Sequence, residues 1–149
     1  MRWDDQFLYV GAMVFDKAIW ANQTKRDSVV FLDNDFEIFV SPDASNHWYK
    51  EFEMNALNTI WSLVLDKPYL NGGTPVNTNW TIKTAVYIDG KINDPSAHNR
   101  FWSVEVALPL ALYATNTTAT VPPKVNDIWR INFSRVEWDV TVVNGQYEK

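Results

Sequence analysis

Residues 33–65, DNDFEIFVSPDASNHWYKEFEMNALNTIWSLVL, decide the fold because apolar and polar side chains alternate with the two-residue period of a β-strand. The apolar side chains of two successive runs are predicted to point into a core, and they are Phe36, Ile38, Val40, Phe52, Met54 and Ala56. The polar side chains between them are Asp35, Glu37, Glu51, Glu53 and Asn55. Two neighbouring strands of this kind would collect several carboxylates and an amide on one face of a sheet.

Tryptophan is unusually frequent, with eight copies among 149 residues. Its flat ring can pack in a core or stack on a ligand while its N–H remains polar. The alternation predicts that Trp102 and Trp129 lie in the core. Five others flank loops or polar faces and are candidates for a stacking platform: Trp20, Trp48, Trp61, Trp80 and Trp138. A polar sheet face beside such rings suggests a surface for a polyhydroxylated ligand.

Composition narrows the classes of partner. A net charge of −5 argues against nucleic acid, because phosphate binding needs a face rich in Lys and Arg. No apolar run is long enough for a membrane span, and the first residues lack the pattern of a secretory signal peptide. The absence of cysteine excludes disulfides and thiolate chemistry. His47 and His98 alone make no zinc signature.

Strand-like segments rich in β-branched and aromatic residues dominate the chain. They lie at residues 7–15, 28–32, 34–40, 49–57, 59–65, 80–88, 101–109 and 128–138, and strand-like alternation resumes after Trp138. Helical signals are thin and limited to short turns at residues 109–115 and 16–22. The pattern predicts an all-β sandwich or barrel, and we expect an antiparallel sandwich, jelly-roll-like, formed by residues 1–149 as a single domain.

The acidic face is built from Asp35, Glu37, Glu51, Glu53 and Glu105. It has four readings: a ligand surface, a metal site, a catalytic pair of carboxyls, or a solvated sheet face. Residues 130–135, RINFSR, place Arg130, Asn132 and Ser134 on one side of a further strand, where Arg and Asn suit vicinal hydroxyls. A cross-strand ion pair of Arg130 with a glutamate is the simpler alternative. Calcium is a candidate where Asp and Asn cluster in turns, namely at residues 33–35 and at Asn93, Asp94 and Asn99.

The sequence resembles the family 9 carbohydrate-binding modules. The segments that carry the resemblance are residues 3–16 (WDDQFLYVGAMVFD), 27–43 (DSVVFLDNDFEIFVSPD), 49–69 (YKEFEMNALNTIWSLVLDKPY), 100–110 (RFWSVEVALPL) and 129–138 (WRINFSRVEW). The resemblance implies a β-sandwich with structural calcium that binds sugars by stacking and polar contacts. It also implies an extracellular or secretory location and attachment to a glycoside hydrolase in polysaccharide breakdown.

The resemblance also assigns ligand-binding residues. Glu37 matches the acidic position that contacts sugar, and Asn55 falls where a binding Asn sits. Phe31 takes the place of one stacking Trp, with Trp20 as a nearby alternative, and Arg130 and Asn132 lie on the strand that supplies further polar contacts. Glu53 is included as a ligand-binding residue, although it stands where such modules carry an Arg.

Two departures from the family pattern accompany the resemblance. The second stacking Trp would lie beyond residue 149, and strands that precede residue 3 in such modules are missing, so we expect a domain truncated at the N-terminus and incomplete at both ends. Two other functions remain open. One is a glycoside hydrolase fragment with Glu37 and Glu53 as acid and base, and the other is a structural or interaction sandwich that has lost sugar binding.

Overall fold

Two antiparallel sheets pack face to face in the computed structural model, which describes residues 1–149. Sheet A has four strands in the order β1-β2-β8-β7, with β1 Arg2–Trp3, β2 Phe7–Phe15, β7 Lys83–Asp89 and β8 Phe101–Pro109. Sheet B has five strands in the order β6-β5-β4-β3-β9. Its strands are β3 Asp35–Ser41, β4 Tyr49–Asn55, β5 Ile60–Leu65, β6 Val76–Asn77 and β9 Arg130–Ser134. A separate hairpin joins β10 Thr141–Val143 to β11 Gln146–Glu148. The predicted all-β antiparallel sandwich is confirmed.

The core lies between the sheets and contains the apolar side chains that the alternation predicts. Phe36, Ile38 and Met54 from sheet B meet Trp102 and Leu108 from sheet A in one cluster of 17 buried residues. Burying each such side chain stabilises the fold by about 1.5–3 kcal/mol. This apolar layer therefore fixes which face of sheet B turns outward.

Strand register places the polar side chains of three strands side by side. Glu37 of β3 lies opposite Glu53 of β4, and Asp35 lies opposite Asn55. On the other edge of β3, Ser134 of β9 pairs with Glu37, and Asn132 with Phe39. Because side chains alternate between the faces of a strand, all of these residues share the outer face of sheet B.

Local predictions differ from the structure at three places. Residues 28–32 do not form a strand: the chain turns through a 3-10 helix at Val30–Leu32, and the Asp33 N–H donates to the Val30 carbonyl. Residues 16–22 contain no helical turn, whereas residues 109–115 do contain a short 3-10 helix at Leu110–Tyr113. β9 ends at Ser134, four residues earlier than the pattern suggests. None of these short helices is long and apolar enough to cross a membrane.

Candidate functional site

The outer face of sheet B carries the densest group of polar side chains, and we call it the polar face. Its members come from β3, β4 and β9, and they are Asp35, Glu37, Glu51, Glu53, Asn55, Arg130, Asn132 and Ser134. Five of the seven predicted ligand-binding residues, Glu37, Glu53, Asn55, Arg130 and Asn132, therefore share one surface. Arg130 and Asn132 are exposed, Glu37 is partly buried, and Glu53 and Asn55 are buried.

Three carboxylates of the polar face form a compact group, which we call the acidic cluster. Asp35, Glu37 and Glu53 each place a carboxylate oxygen within 4.8 Å of the others. Asp35 and Glu53 are almost completely buried, yet Asp35 Oδ2 and Glu53 Oε2 have no hydrogen-bond partner. The Oδ1 atom of Asp35 accepts from the Val136 N–H at 3.0 Å, and Ser134 Oγ donates to Glu37 Oε2. The cluster thus has two buried oxygens without a donor.

Burial and like charge both disfavour ionisation of these acids. Burial, and then repulsion from Glu37, raises the pKa of Asp35 to about 8. Burial, followed by a hydrogen bond with Glu51, raises the pKa of Glu53 to about 10. The pKa of Glu51 is also raised, chiefly by burial, while Tyr69 Oη donates to Glu51 Oε2 at 3.1 Å and opposes the rise. The acidic cluster is therefore an electrostatically costly arrangement in the absence of a neighbouring positive charge.

Aromatic rings border the acidic cluster. Trp61 of β5 is the direct cross-strand partner of Glu53, and its ring lies 5.9 Å from that of Phe31. The indole N–H of Trp138 donates to the Phe31 carbonyl at 2.8 Å, which holds a third ring at the same edge. Phe31 and Trp138 are 39% and 38% exposed, so both rings are partly accessible to a ligand, while Lys149 Nζ covers one face of the Trp138 ring at 3.8 Å from its centre. We call Phe31, Trp61 and Trp138 the aromatic rim.

The loop that carries Phe31 is held in place by buried polar contacts. Asn55 Nδ2 donates to the Gln23 carbonyl and to Asp33 Oδ2, each at 2.9 Å, and Asn55 Oδ1 accepts from the Leu57 and Thr59 N–H groups. Asp33 Oδ2 also accepts from two backbone N–H groups at the start of the loop. All the hydrogen-bonding groups of the Asn55 amide are thus engaged within the protein. In this conformation Asn55 stabilises the loop that carries Phe31 of the aromatic rim.

A pocket extends from the polar face toward the β9 edge. It encloses about 340 Å³ and is lined by Phe39, Tyr49 and Tyr69 together with Arg130 and Asn132. Aromatic faces beside paired polar donors are the composition that a small polar ligand needs. A larger hollow of about 640 Å³ over sheet A contains one carboxylate, Glu105, and one aromatic ring, Tyr9, whose hydroxyl is already bonded to Asp4.

The remaining sequence candidates fall outside this arrangement. Trp20 is 4% exposed, so its ring cannot stack on a ligand unless the loop around it moves. Among the turn residues considered for calcium, the Asn93 amide bonds the backbone of Ala21, and Asp94 accepts from Lys91 and Ser96. Asn99 Oδ1 accepts from the Lys91 N–H. These turns therefore use their side chains to fix their own backbone.

Asp35, Glu51 and Trp61 were not among the seven predicted ligand-binding residues, although the sequence put the two acids on the acidic face and Trp61 among the candidate stacking rings; Tyr69 had no predicted role. The alternation does put the two acids and Trp61 on the polar face. No sequence signal indicates Tyr69, which reaches Glu51 from a 3-10 turn at Tyr69–Asn71.

Comparison with known proteins gives no further guide: no protein-family model, no curated protein and no solved structure matches this chain. The resemblance to family 9 carbohydrate-binding modules therefore stays a prediction from the sequence. The function must be argued from the polar face itself.

Proposed function

We propose that the protein binds carbohydrate on the polar face as a non-catalytic module. The observation that carries this proposal is the coexistence, on one sheet face, of exposed hydrogen-bonding groups and partly exposed aromatic rings. A sugar offers apolar C–H faces to rings and hydroxyls to Arg, Asn and carboxylate groups.

The two ends of the polar face would make different contacts with a bound sugar. At one end the aromatic rim supplies ring faces, and Glu37 is the carboxylate that is still partly accessible there. At the other end the 340 Å³ pocket combines Arg130 and Asn132 with the rings of Tyr49 and Tyr69. Each polar group must regain from the sugar what it loses from water, so we expect a Kd of order micromolar or weaker.

Titration with xylo-, cello- and galacto-oligosaccharides tests the proposal, with tryptophan fluorescence and calorimetry as readouts. We expect a saturable change that Asn132→Ala weakens and that Asn79→Ala, an exposed amide outside the polar face, leaves unaltered. A folded protein that shows no response to millimolar sugar would overturn the proposal.

The burial of Glu53 and Asn55 favours a second candidate, a structural or interaction sandwich that has lost sugar binding. Glu53 is 1% exposed and Asn55 is fully buried, so neither reaches a ligand in this conformation. This candidate predicts a well-folded protein with a flat sugar titration. The same burial counts against a glycoside hydrolase fragment, because Glu53 would have to reach the glycosidic bond. Sugar release from a polysaccharide, abolished by Glu53→Gln, would favour the hydrolase.

The biological setting belongs to the same proposal. A non-catalytic module of this kind would act beside an attached catalytic domain in polysaccharide breakdown outside the cell. Support for this setting comes only from the sequence resemblance. Identification of the residues that flank this chain in its gene would test it.

A further inference from the structure

The buried acids Asp16 and Asp33 find donors within the protein, whereas two oxygens of the acidic cluster do not. Asp16 accepts from the Ala18 N–H and from Asn34 Nδ2, and Asp33 accepts from two N–H groups and from Asn55. In contrast, Asp35 Oδ2 and Glu53 Oε2 are buried with no partner at all. An unpaired buried carboxylate oxygen is expensive, so these two atoms call for a positively charged partner.

No basic side chain provides that partner. The five ion pairs of the chain involve Asp16, Asp27, Asp89, Asp94 and Glu137, and none reaches the acidic cluster. The charged groups that influence Asp35 and Glu53 most are other carboxylates, including Glu37 and Glu51. The positive charge would therefore come from outside the chain.

A group of carboxylate oxygens in irregular positions suits Ca²⁺, whose coordination is flexible, better than Mg²⁺, which demands near-ideal octahedral geometry. Two oxygens bound to one Ca²⁺ at 2.3–2.6 Å are separated by at most about 5 Å, whereas Mg²⁺ requires a separation below about 4.2 Å. The carboxylate oxygens of Asp35, Glu37 and Glu53 lie within 4.8 Å of one another, so one Ca²⁺ ion could contact all three with small side-chain shifts. Glu37 is only partly buried, which leaves the cluster open to solvent on one side.

We propose that Asp35, Glu37 and Glu53 bind one Ca²⁺ ion on the polar face. The ion would neutralise the two unpartnered buried oxygens and take its remaining ligands from water at the Glu37 side. It would also tie β3 to β4 beneath the aromatic rim, because Asp35 and Glu37 belong to β3 and Glu53 to β4. This site does not depend on whether the protein binds sugar.

Calorimetry on the chelator-stripped full chain with CaCl2 tests the proposal. We expect one ion per chain with a Kd of about 1 mM or tighter, and a rise in melting temperature with calcium concentration. Glu53→Gln and Glu37→Gln should each weaken binding by about tenfold or more. Glu105→Gln, the same change on the exposed face of sheet A, should leave the affinity unaltered.

Terbium luminescence locates the bound ion without relying on the melting temperature. Trp61 is the cross-strand neighbour of Glu53, so its indole would sensitise a bound Tb³⁺ ion. Trp61→Phe should lower this signal and leave calcium affinity nearly unchanged. The absence of heat and of a melting shift at roughly 10 mM CaCl2 would overturn the proposal. An equal loss of affinity in Glu105→Gln, or equal affinity for Mg²⁺, would also overturn it.

Discussion

Glu37 and Glu53 are direct cross-strand partners in the antiparallel pair β3–β4, so two carboxylates occupy opposing positions on one sheet face. Like charges at such positions destabilise a sheet, and here the unfavourable pair is next to a third acid, Asp35. The core on the opposite face is extensive enough to hold the strands in this register. The fold therefore tolerates unfavourable interactions between carboxyl groups on the polar face.

Replacing Glu53 of the acidic cluster by a neutral residue should stabilise the metal-free protein. In EDTA at pH 7, Glu53→Gln should increase the free energy of unfolding by about 1–3 kcal/mol, because the raised pKa makes the folded protein hold Glu53 protonated while the unfolded chain ionises it, and Gln is neutral in both states. Urea denaturation of both proteins measures this difference. Glu105→Gln is the matched control and should remain within about 0.5 kcal/mol of the parent. A less stable Glu53→Gln protein in EDTA would show that the cluster is not strained.

Substitutions at Asn55 and at Asn132 should have different effects, the first on the stability of the fold and the second on ligand affinity. Asn55→Ala removes four buried hydrogen bonds and should lower the free energy of unfolding by about 2–4 kcal/mol. Asn132 is exposed on β9, so Asn132→Ala should change stability by less than about 0.5 kcal/mol and affect only ligand affinity. Chemical denaturation and sugar titration of the two variants make the comparison. Equal stability of both variants would contradict the bracing role of Asn55.

Phe31 should contribute to ligand binding through its ring. Phe31→Ala removes a partly exposed ring from the aromatic rim and should weaken sugar binding roughly tenfold. Tyr87→Ala removes a ring from the exposed side of sheet A and is the control, because Tyr87 is 62% exposed and distant in the sheet order from the polar face. Calorimetric titration of both variants measures the effect. Unchanged affinity in Phe31→Ala would place the sugar away from the rim.

Lys149 should shield Trp138 from solvent. Its Nζ lies 3.8 Å from the centre of the indole ring and also donates to the Leu32 carbonyl. Lys149→Ala should increase acrylamide quenching of the Trp138 emission and cost less than about 1 kcal/mol of stability. Subtracting the spectrum of the matching Trp138→Phe protein isolates that emission. Lys25→Ala, another exposed lysine, should not alter the quenching, and an unchanged signal in Lys149→Ala would contradict the shielding.

The two-residue alternation of apolar and polar side chains was enough to predict most strands. β2 and β8 have the predicted bounds, and β3 and β4 differ from their predicted ranges by at most two residues at either end. The failure at residues 28–32 has a physical cause. A run of Val, Val, Phe and Leu satisfies strand propensity, but the Leu32 and Asp33 N–H groups close a turn onto the Val29 and Val30 carbonyls, and Asn55 anchors Asp33 directly after it.

The candidate site was predictable in its strands and unpredictable in its loops. Glu37, Glu53 and Asn132 come together because alternation fixes their face once the strands pair. The burial of Trp20 and Asn55 depends on how residues 20–33 fold back over the sheet edge, and no local pattern records that path. The contact of Phe31 with Trp138 joins residues 107 positions apart, which no local pattern can indicate.

The hydrogen bond between Val136 and Asp35 limits when the acidic cluster can assemble during synthesis and folding. Val136 holds Asp35 through its backbone N–H, and the two residues are 101 positions apart in the chain. A contact of such long range can form only after both segments have been synthesised, and it carries a loop-closure cost. A chain emerging from the ribosome would possess both glutamates of the cluster long before it could assemble the surface around them, so acquisition of the site would report that synthesis and docking of β9 are complete.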